Sequence, residues 1–488
     1  MKNEQAIVIG AGIAGIAAAI RLSVKGCKVR VFEQNAYPGG KIAEVKNGNY
    51  RWDAGPSLFT LPEQVDELFR LAGENPRDHF NYERLSTVCN YFWEDDTFLA
   101  APADEKQFAS RVAQTFGLTE KSVINYLKKS RFIYETTAPV FLDQSLHKVG
   151  NYLNFKTLKG ICRMPRLGIF SVLNSQNEKQ LRHPALVQLF NRYATYNGSD
   201  PYRAPAVLQS IPHLEFGRGA YFPRGGMISI ARELYNLAER RGVEFHFNTP
   251  VESIETEAKR VKGVIALGKM HEAGLVVCNS DVVPAYRKLL QKHKAPEKIL
   301  EQPRSSSALI FYWGMNRIYE ELDMHNIFFS NDYRNEFDTI HQGRSISEDP
   351  TVYINITSAY QPDDAPAGGM NWFVMINVPG NTGQDWDTLI EKSREAIILK
   401  LEKRLKKPVR NHIVCEEILD PVLIEKRTSS FQGSLYGSSS NNRYAAFLRH
   451  ANFSTGIKGL YFCGGSVHPG GGIPLALKSA KIVAGLIR

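Results

Sequence analysis

The stretch AIVIGAGIAG, residues 6–15, decides the fold, because four apolar residues run directly into a GxGxxG glycine pattern. The apolar run predicts a buried first strand, and the three glycines allow a tight turn and a close approach of the backbone to a pyrophosphate. A helix is expected next, with its first N–H groups aimed at that anion. Residues 29–32 predict a second strand, and Glu33 follows Gly15 by 18 residues, near the spacing of an acid that binds ribose hydroxyls. The pattern therefore predicts a Rossmann-type dinucleotide-binding unit.

A second glycine cluster, GGSVHPGGGIP at residues 464–474, lies near the other end of the chain. Residues 39–41 (GGK) and 53–57 (DAGPS) add two further segments that a simple nicotinamide site does not need. They favour FAD, which extends beyond one βαβ unit and requires other parts of the chain. Pro474 is well placed as the first residue of a closing helix over 475–487. The dipole at the start of that helix would stabilise negative charge on a reduced flavin ring.

Two more segments, FPRGGM at 222–227 and Asn279-Ser280-Asp281, complete a pattern that spans the chain. With them the chain resembles the amine oxidase and phytoene desaturase superfamily, and within it the bacterial carotenoid desaturases of the phytoene desaturase type. The resemblance implies an α/β fold in which a Rossmann-type FAD-binding domain is interrupted by a substrate domain with a mixed β-sheet and a helical cap. The residues assigned to FAD on this basis are Gly10, Gly12, Ile13, Ala14, Gly15, Glu33, Gln34, Gly40, Lys41, Gly55, Pro56, Ser57, Val251, Asn279, Gly465, Ser466, Gly472, Ile473 and Pro474.

The resemblance implies that the protein introduces a C=C bond into a long polyene, with hydride transfer to flavin N5. Whole-chain likeness is greatest to the desaturases that act at the C-3,4 bond of 1-hydroxycarotenoids. The alternatives are a phytoene desaturase, a carotenoid cis–trans isomerase or a carotenoid oxidase; a non-enzyme alternative is an escort protein for prenylated GTPases. Because the chain has no second nucleotide fingerprint, the expected electron acceptor is a quinone or oxygen rather than a nicotinamide.

The sequence leaves the catalytic residue open. It contains no HExxH, P-loop or paired-carboxylate signature, and its six cysteines form no zinc-ligand pattern, so no metal is expected. This composition is typical of flavin chemistry, in which the protein binds and orients. His468 in the second glycine cluster and Arg131 on a predicted helix over 122–134 are the two candidates, although Arg131 also suits a surface salt bridge.

The chain has 488 residues, which is more than a single core usually supports. We expect the FAD-binding domain to be assembled from three parts, and two other regions to lie between them. The predicted ranges are 1–75, 215–290 and 456–488 for the FAD-binding domain, 76–214 for a mostly helical cap, and 291–455 for the sheet of the substrate domain. Residues 261–267 and 275–278 are interpreted as a strand pair.

The net charge of +10 is concentrated in part at residues 147–182, where seven lysines and arginines face a single glutamate and apolar residues interleave. A basic amphipathic stretch of this kind can lie on an anionic membrane surface. No nucleic-acid motif accompanies the charge, no apolar run of 18 residues is present, and the N-terminus enters the first strand directly. We expect a cytoplasmic protein attached peripherally to the cytoplasmic face of the membrane, with a hydrophobic carotenoid as substrate.

Overall fold

The computed structural model describes residues 3–148, 150–151, 167–168, 171–442 and 449–487. Its strands are β1 (Gln5–Ile9), β2 (Lys28–Phe32), β3 (Glu44–Asn47), β4 (Tyr50–Asp53), β5 (Tyr82–Arg84), β6 (Thr87–Phe92), β7 (Phe98–Pro102), β8 (Tyr221–Pro223), β9 (Glu244–His246), β10 (Val251–Glu257), β11 (Arg260–Ala266), β12 (Lys269–Glu272), β13 (Leu275–Cys278), β14 (Ser307–Met315), β15 (His325–Phe328), β16 (Val352–Asn355), β17 (Met370–Val378), β18 (Ile413–Leu419) and β19 (Leu460–Phe462).

The described α-helices follow the same order along the chain. They are α1 (Ile13–Val24), α2 (Glu63–Leu71), α3 (Glu105–Phe116), α4 (Glu120–Thr137), α5 (Leu173–Leu181), α6 (Pro184–Asn191), α7 (Ile228–Arg240), α8 (Val282–Pro284), α9 (Glu297–Leu300), α10 (Tyr333–Asp338), α11 (Trp386–Leu405), α12 (Pro421–Thr428) and α13 (Ile473–Leu486).

A five-stranded parallel sheet in the order β19-β13-β1-β2-β9 carries the nucleotide-binding motif. Strand β1 lies at its centre, with Ile7 opposite Arg30 of β2 and opposite Val276 of β13. Both faces of the sheet are covered, which explains the continuous apolar run in β1. Helices α1, α7 and α13 pack on one face, and the alanines of α1 allow close contact there. The three-stranded antiparallel sheet β10-β11-β12 packs against the other face.

The second large sheet is a seven-stranded mixed sheet in the order β18-β14-β17-β16-β15-β6-β7. Its inner strand β14 is buried at every position, because α11 covers one face and the β3-β4 hairpin region covers the other. Helices α3, α4 and α6 pack on the β6-β7 end, around Phe108 and Phe190. The predicted α/β fold with a mixed sheet and a helical cap is therefore confirmed.

The prediction that residues 76–214 are mostly helical is right for α3 to α6 and wrong for residues 82–102. That stretch contains β5, β6 and β7, and β6 pairs in parallel with β15 through Ile327 opposite Tyr91. The mixed sheet thus includes the β6-β7 hairpin, which precedes the cap helices in the chain. The exact limits of the five predicted domain segments remain a prediction.

The interpretation of residues 261–267 and 275–278 as a strand pair is wrong. Strand β11 pairs with β10 and β12, whereas β13 lies in the parallel sheet between β1 and β19. The physical reason is burial: all four residues of β13 are buried, which suits a central parallel strand, whereas β11 alternates between exposed and buried positions over its first half.

Candidate functional site

The two glycine segments meet in space, and Asn279 at the end of β13 joins them. Its backbone N–H donates to Ile9 O at 2.9 Å and its side-chain Nδ2 donates to Gly10 O at 3.3 Å. On its other side, a Cβ placed on Gly464 would lie 2.7 Å from Asn279 Oδ1. The chain therefore needs glycine at this contact, and the first and last segments form one continuous surface.

That surface forms part of a cavity of about 770 Å³ between the parallel sheet, the mixed sheet and the cap. Every residue assigned to FAD from the sequence lines this cavity except Gly15. Gly15 lies one turn into α1, where a Cβ would stand 2.1 Å from Gly10 O. Its role is to allow the glycine turn to pack on the helix. The sequence-assigned residues that line the cavity are Gly10, Gly12, Ile13, Ala14, Glu33, Gln34, Gly40, Lys41, Gly55, Pro56, Ser57, Val251, Asn279, Gly465, Ser466, Gly472, Ile473 and Pro474.

The nucleotide end of the cavity fits a dinucleotide. Glu33 is buried at the end of β2 and its carboxylate accepts hydrogen bonds from the backbone N–H of Ala11 at 2.7 Å and of Asn35 at 2.9 Å. The side-chain Nδ2 of Asn35 also donates to this carboxylate, at 2.9 Å. A carboxylate accepts about four hydrogen bonds, so beyond these three it retains capacity for a ribose hydroxyl. The N-terminal end of α1 begins at the glycine turn, with Gly12 as its N-cap. This arrangement places backbone donors where a pyrophosphate binds.

The C-terminal glycine loop faces the same cavity. Gly472 has a φ of +96°, which favours glycine, and a Cβ there would point into open space. It caps α13, which begins at Ile473, two residues earlier than the sequence predicts, with Pro474 in its first turn. The N-terminal end of the helix therefore faces the cavity, where its dipole stabilises negative charge.

Lys41 spans the cavity wall and ties two distant segments together. Its Nζ donates to Ser434 O at 3.0 Å and to Leu435 O at 2.7 Å. Burial lowers the pKa of Lys41 to about 8, partly offset by Asp281. The sequence assigns it to the cofactor; the structure places it on the cavity wall with its ammonium bonded to backbone carbonyls.

Arg449 is a cavity residue that the sequence analysis did not find. Its Nη1 donates to Tyr436 O at 3.2 Å and Gly465 O at 3.5 Å. Its Nη2 donates to Ser438 O at 2.9 Å and Asn197 Oδ1 at 3.1 Å. Burial lowers the pKa of the guanidinium to about 10, and no carboxylate in the described part of the chain pairs with it. It places a positive charge beside the glycine loop, which favours an anionic group at this part of the cavity.

His468 is buried beneath the loop and does not line the cavity. Its Nε2 donates to Gln144 O at 2.9 Å, whereas the next residue, Pro469, faces the cavity. Arg131 also lies outside the cavity: its Nη2 is 2.8 Å from Glu105 Oε1 and its side chain is 45 % exposed. The surface salt bridge expected for Arg131 is confirmed, and the geometry places neither candidate against the cofactor site.

The substrate side of the cavity is mostly apolar. Helix α4 and the segments that follow it contribute much of the wall, and the mixed sheet contributes the rest. Apolar lining residues include Phe141, Leu142, Val207, Leu208, Ile211, Leu214, Val88, Ile310, Ile327, Met375 and Leu419. Among them stand a cluster of Arg192, Tyr196 and Glu215 and a chain from Ser57 through Tyr353 to His325. Such a cavity suits a long hydrocarbon with few polar groups.

Ser57, assigned to FAD from the sequence, bonds instead to a buried polar chain from the mixed sheet. Its Oγ lies 2.8 Å from Tyr353 Oη, which lies 2.8 Å from His325 Nδ1. Burial lowers the pKa of His325 to about 3, with a further contribution from Arg192. The imidazole is therefore neutral at physiological pH, and the side chains of Ser57, Tyr353 and His325 form an uncharged hydrogen-bond network.

The fold brings both ends of the chain and the mixed sheet to the wall of one cavity. The sequence model of the family described as flavin containing amine oxidoreductase matches residues 13–488. The chain belongs to this family, and it is a flavin-containing oxidoreductase.

Relatives with described activities extend over the whole chain. It is 52 % identical over 484 residues to the 1-hydroxycarotenoid 3,4-desaturase of Flavobacterium sp. (strain P99-3), covering 99 % of both chains. It is 30 % identical to the 4,4'-diapolycopene oxygenase of Methylomonas sp., covering 99 % of this chain and 97 % of that one. It is 29 % identical to the phytoene desaturase of Phycomyces blakesleeanus, covering 99 % and 84 %.

Solved structures agree on the fold. An oxidoreductase from Methanosarcina mazei superposes with a TM-score of 0.63 at 15 % identity, over 98 % of this chain and 99 % of that one. Putrescine oxidase with bound putrescine superposes with a TM-score of 0.62 at 13 % identity, over 99 % of both chains. In the described part of the chain, no helix combines the length and apolar character needed to cross a bilayer.

Proposed function

We propose that this protein is an FAD-dependent carotenoid desaturase that forms the C-3,4 double bond of a 1-hydroxycarotenoid. The 52 % identity to a desaturase of that description over 99 % of both chains carries the proposal. The relatives described as phytoene desaturase and diapolycopene oxygenase are much more distant, at 29 % and 30 %. The mostly apolar cavity beside the glycine loops supports a long polyene as substrate.

FAD is the flavin that this site would hold. Glu33 and the glycine turn at Gly10 would bind its adenosine and pyrophosphate, and Gly465 and Gly472 would lie against the flavin half. When bound, FAD would supply the hydride acceptor for one C–H of the substrate. The electron pair of the neighbouring C–H would form the C=C bond as its proton leaves to solvent. The residues of this chain orient the polyene, exclude water from the cavity and hold Arg449 beside the loop. A quinone or oxygen would then take the two electrons.

The proposed activity predicts a product two hydrogens lighter than its substrate. Purified protein reconstituted with FAD is incubated with liposomes that contain a 1-hydroxycarotenoid, with a quinone as acceptor, and the products are analysed by mass spectrometry. We expect loss of two hydrogens and one added conjugated double bond at C-3,4. A product of unchanged mass would indicate an isomerase, and added oxygen would indicate an oxygenase; either result contradicts the proposal.

We also propose peripheral attachment to the cytoplasmic face of the membrane, because a carotenoid dissolved in a bilayer must be collected from it. The basic stretch at residues 147–182 is the proposed contact; residues 149, 152–166 and 169–170 of it lie outside the described part of the chain. The charge pattern supports attraction to anionic lipid, about 1 kcal/mol for each basic residue near the surface.

Membrane attachment through residues 147–182 predicts binding that depends on salt and on lipid charge. Vesicles with an anionic lipid fraction are expected to sediment with the protein at low salt and to release most of it when the ionic strength rises severalfold. Replacing Lys156, Lys159, Arg163 and Arg166 by glutamine should weaken binding strongly. Equal binding of that variant and the unchanged protein would contradict the assignment of this segment.

A further inference from the structure

Among the described residues, the substrate side of the cavity carries a charged cluster in a wall that is mostly apolar. Glu215 is buried, and its Oε2 accepts from Arg192 Nη2 at 3.3 Å and from the hydroxyl of Tyr193 at 2.6 Å. Its Oε1 accepts from the hydroxyl of Tyr196. Arg192 Nη1 in turn donates to the oxygen of Tyr196 at 3.0 Å. Arg192, Tyr196 and Glu215 line the cavity, whereas Tyr193 does not.

The cluster keeps unfilled hydrogen-bond acceptors. Within the described residues, Glu215 Oε1 accepts from Tyr196 alone, although a carboxylate oxygen takes two hydrogen bonds. The oxygen of Tyr196 donates one bond, accepts one and keeps a lone pair. The donors of Arg192 Nη2 are directed at Tyr91 and Glu215. Arg192 Nε has no partner among the described residues, so the cluster holds an unfilled donor as well as unfilled acceptors. A hydroxyl, which both donates and accepts, is a ligand that matches it.

The cluster lies close to the glycine loop. Tyr196 is followed by Asn197, whose Oδ1 accepts from Arg449 Nη2 at 3.1 Å, and Arg449 reaches Gly465 O at 3.5 Å. In a 1-hydroxycarotenoid, the hydroxyl is on a carbon only two positions from C-3. A group that recognises this hydroxyl must therefore lie near the reacting bond. Asn197 and Arg449 link the cluster to Gly465, against which the flavin half is proposed to lie.

We propose that Tyr196 and Glu215 accept a hydrogen bond from the C-1 hydroxyl of the substrate and so select hydroxylated carotenoids; the inference rests on the proposed desaturase activity. A carotene without the hydroxyl would bury these acceptors against hydrocarbon with no donor in place. Sites that bond to a substrate hydroxyl reject the analogue that lacks it far more strongly than a purely apolar pocket does. Arg192 donates hydrogen bonds to Glu215 Oε2 and to the oxygen of Tyr196, and so fixes the positions of both acceptors.

The test compares two substrates and two tyrosine variants of the FAD-loaded enzyme. Liposomes carry either a 1-hydroxycarotenoid or the carotene that lacks its hydroxyl, and the ratio of the two kcat/KM values is measured. We expect the unchanged enzyme to favour the hydroxylated substrate by about 100-fold or more. Tyr196→Phe should lower that ratio about tenfold, through the hydroxylated substrate alone, with unchanged flavin content.

Tyr193→Phe is the matched control, because it removes a hydrogen bond to the same Glu215 from outside the cavity. We expect it to leave the selectivity ratio within about twofold of the unchanged enzyme. Two results would overturn the hydroxyl proposal alone. One is an equal loss of selectivity in both variants; the other is an unchanged enzyme that desaturates both substrates with no preference. Failure to desaturate any carotenoid would overturn the proposed activity and this inference with it.

Discussion

Replacing Gly15 by alanine is expected to deprive the purified protein of most of its flavin. A Cβ at this position would stand 2.1 Å from Gly10 O and 2.8 Å from Asn279 Nδ2. The first neighbour is backbone, so the glycine turn itself must move away from α1. Overpacking of this kind costs about 1–3 kcal/mol, which would weaken flavin binding by roughly 5- to 150-fold. The flavin absorbance per mole of purified protein measures the effect.

Gly485→Ala provides the control, because Gly485 also lies within a helix, α13, and a Cβ there would meet nothing within 4 Å. This variant should keep its flavin and gain up to about 1 kcal/mol in unfolding free energy. If Gly15→Ala retains as much flavin as Gly485→Ala, the glycine turn is not the cofactor contact that we propose.

The nucleotide-binding half was predictable because its signals are local. Its parts follow one another directly in the chain: strand β1, the glycine turn, α1, β2 and Glu33. The composition of each part is typical of the structure that it forms. The C-terminal loop was predictable for the same reason, since glycines followed by Pro474 indicate a turn before a helix. The convergence of the two segments then followed from the length of the proposed cofactor.

The β6-β7 hairpin was missed although its signal is present. Residues 87–92 (TVCNYF) are rich in β-branched and aromatic side chains, and Glu94-Asp95-Asp96 supplies a polar turn. Trp93 N donates to Thr97 O at 3.0 Å to close that turn, and Asp96 adopts a φ of +64°. What the sequence does not show is the partner: β6 pairs with β15, more than 200 residues later.

The site residues that were missed share a different cause. None of the three residues Arg449, Arg192 and Glu215 belongs to a motif. Each is placed in the site by contacts with residues far away in the chain. A lone arginine or glutamate in a sequence is most often a solvated surface residue. Only burial reveals them: Arg449 is 2 % exposed and Glu215 is 1 % exposed. A buried charge in a mostly apolar cavity can therefore be identified only from the tertiary structure.

Acid is expected to destabilise this protein in part through two histidines that hold the C-terminal loop. Burial lowers the pKa of His450 and of His468 to about 4. His450 Nδ1 donates to Ala451 O at 2.7 Å and Nε2 accepts from the hydroxyl of Tyr286 at 3.0 Å. His468 Nδ1 is buried and has no partner among the described residues. Each ring is thus arranged to be neutral.

An unfolded histidine has a pKa of about 6.5, so the unfolded chain binds protons that the folded chain excludes as the pH falls from about 6.5 to 4. Stability is complete above pH 6.5 and decreases through this window, by about 3 kcal/mol for each ring. Urea unfolding from pH 7 to 4.5 measures the slope. His468→Gln should be less stable at pH 7 but should show a shallower pH dependence. A slope equal to that of the unchanged protein would contradict the assignment, because glutamine cannot take up the proton.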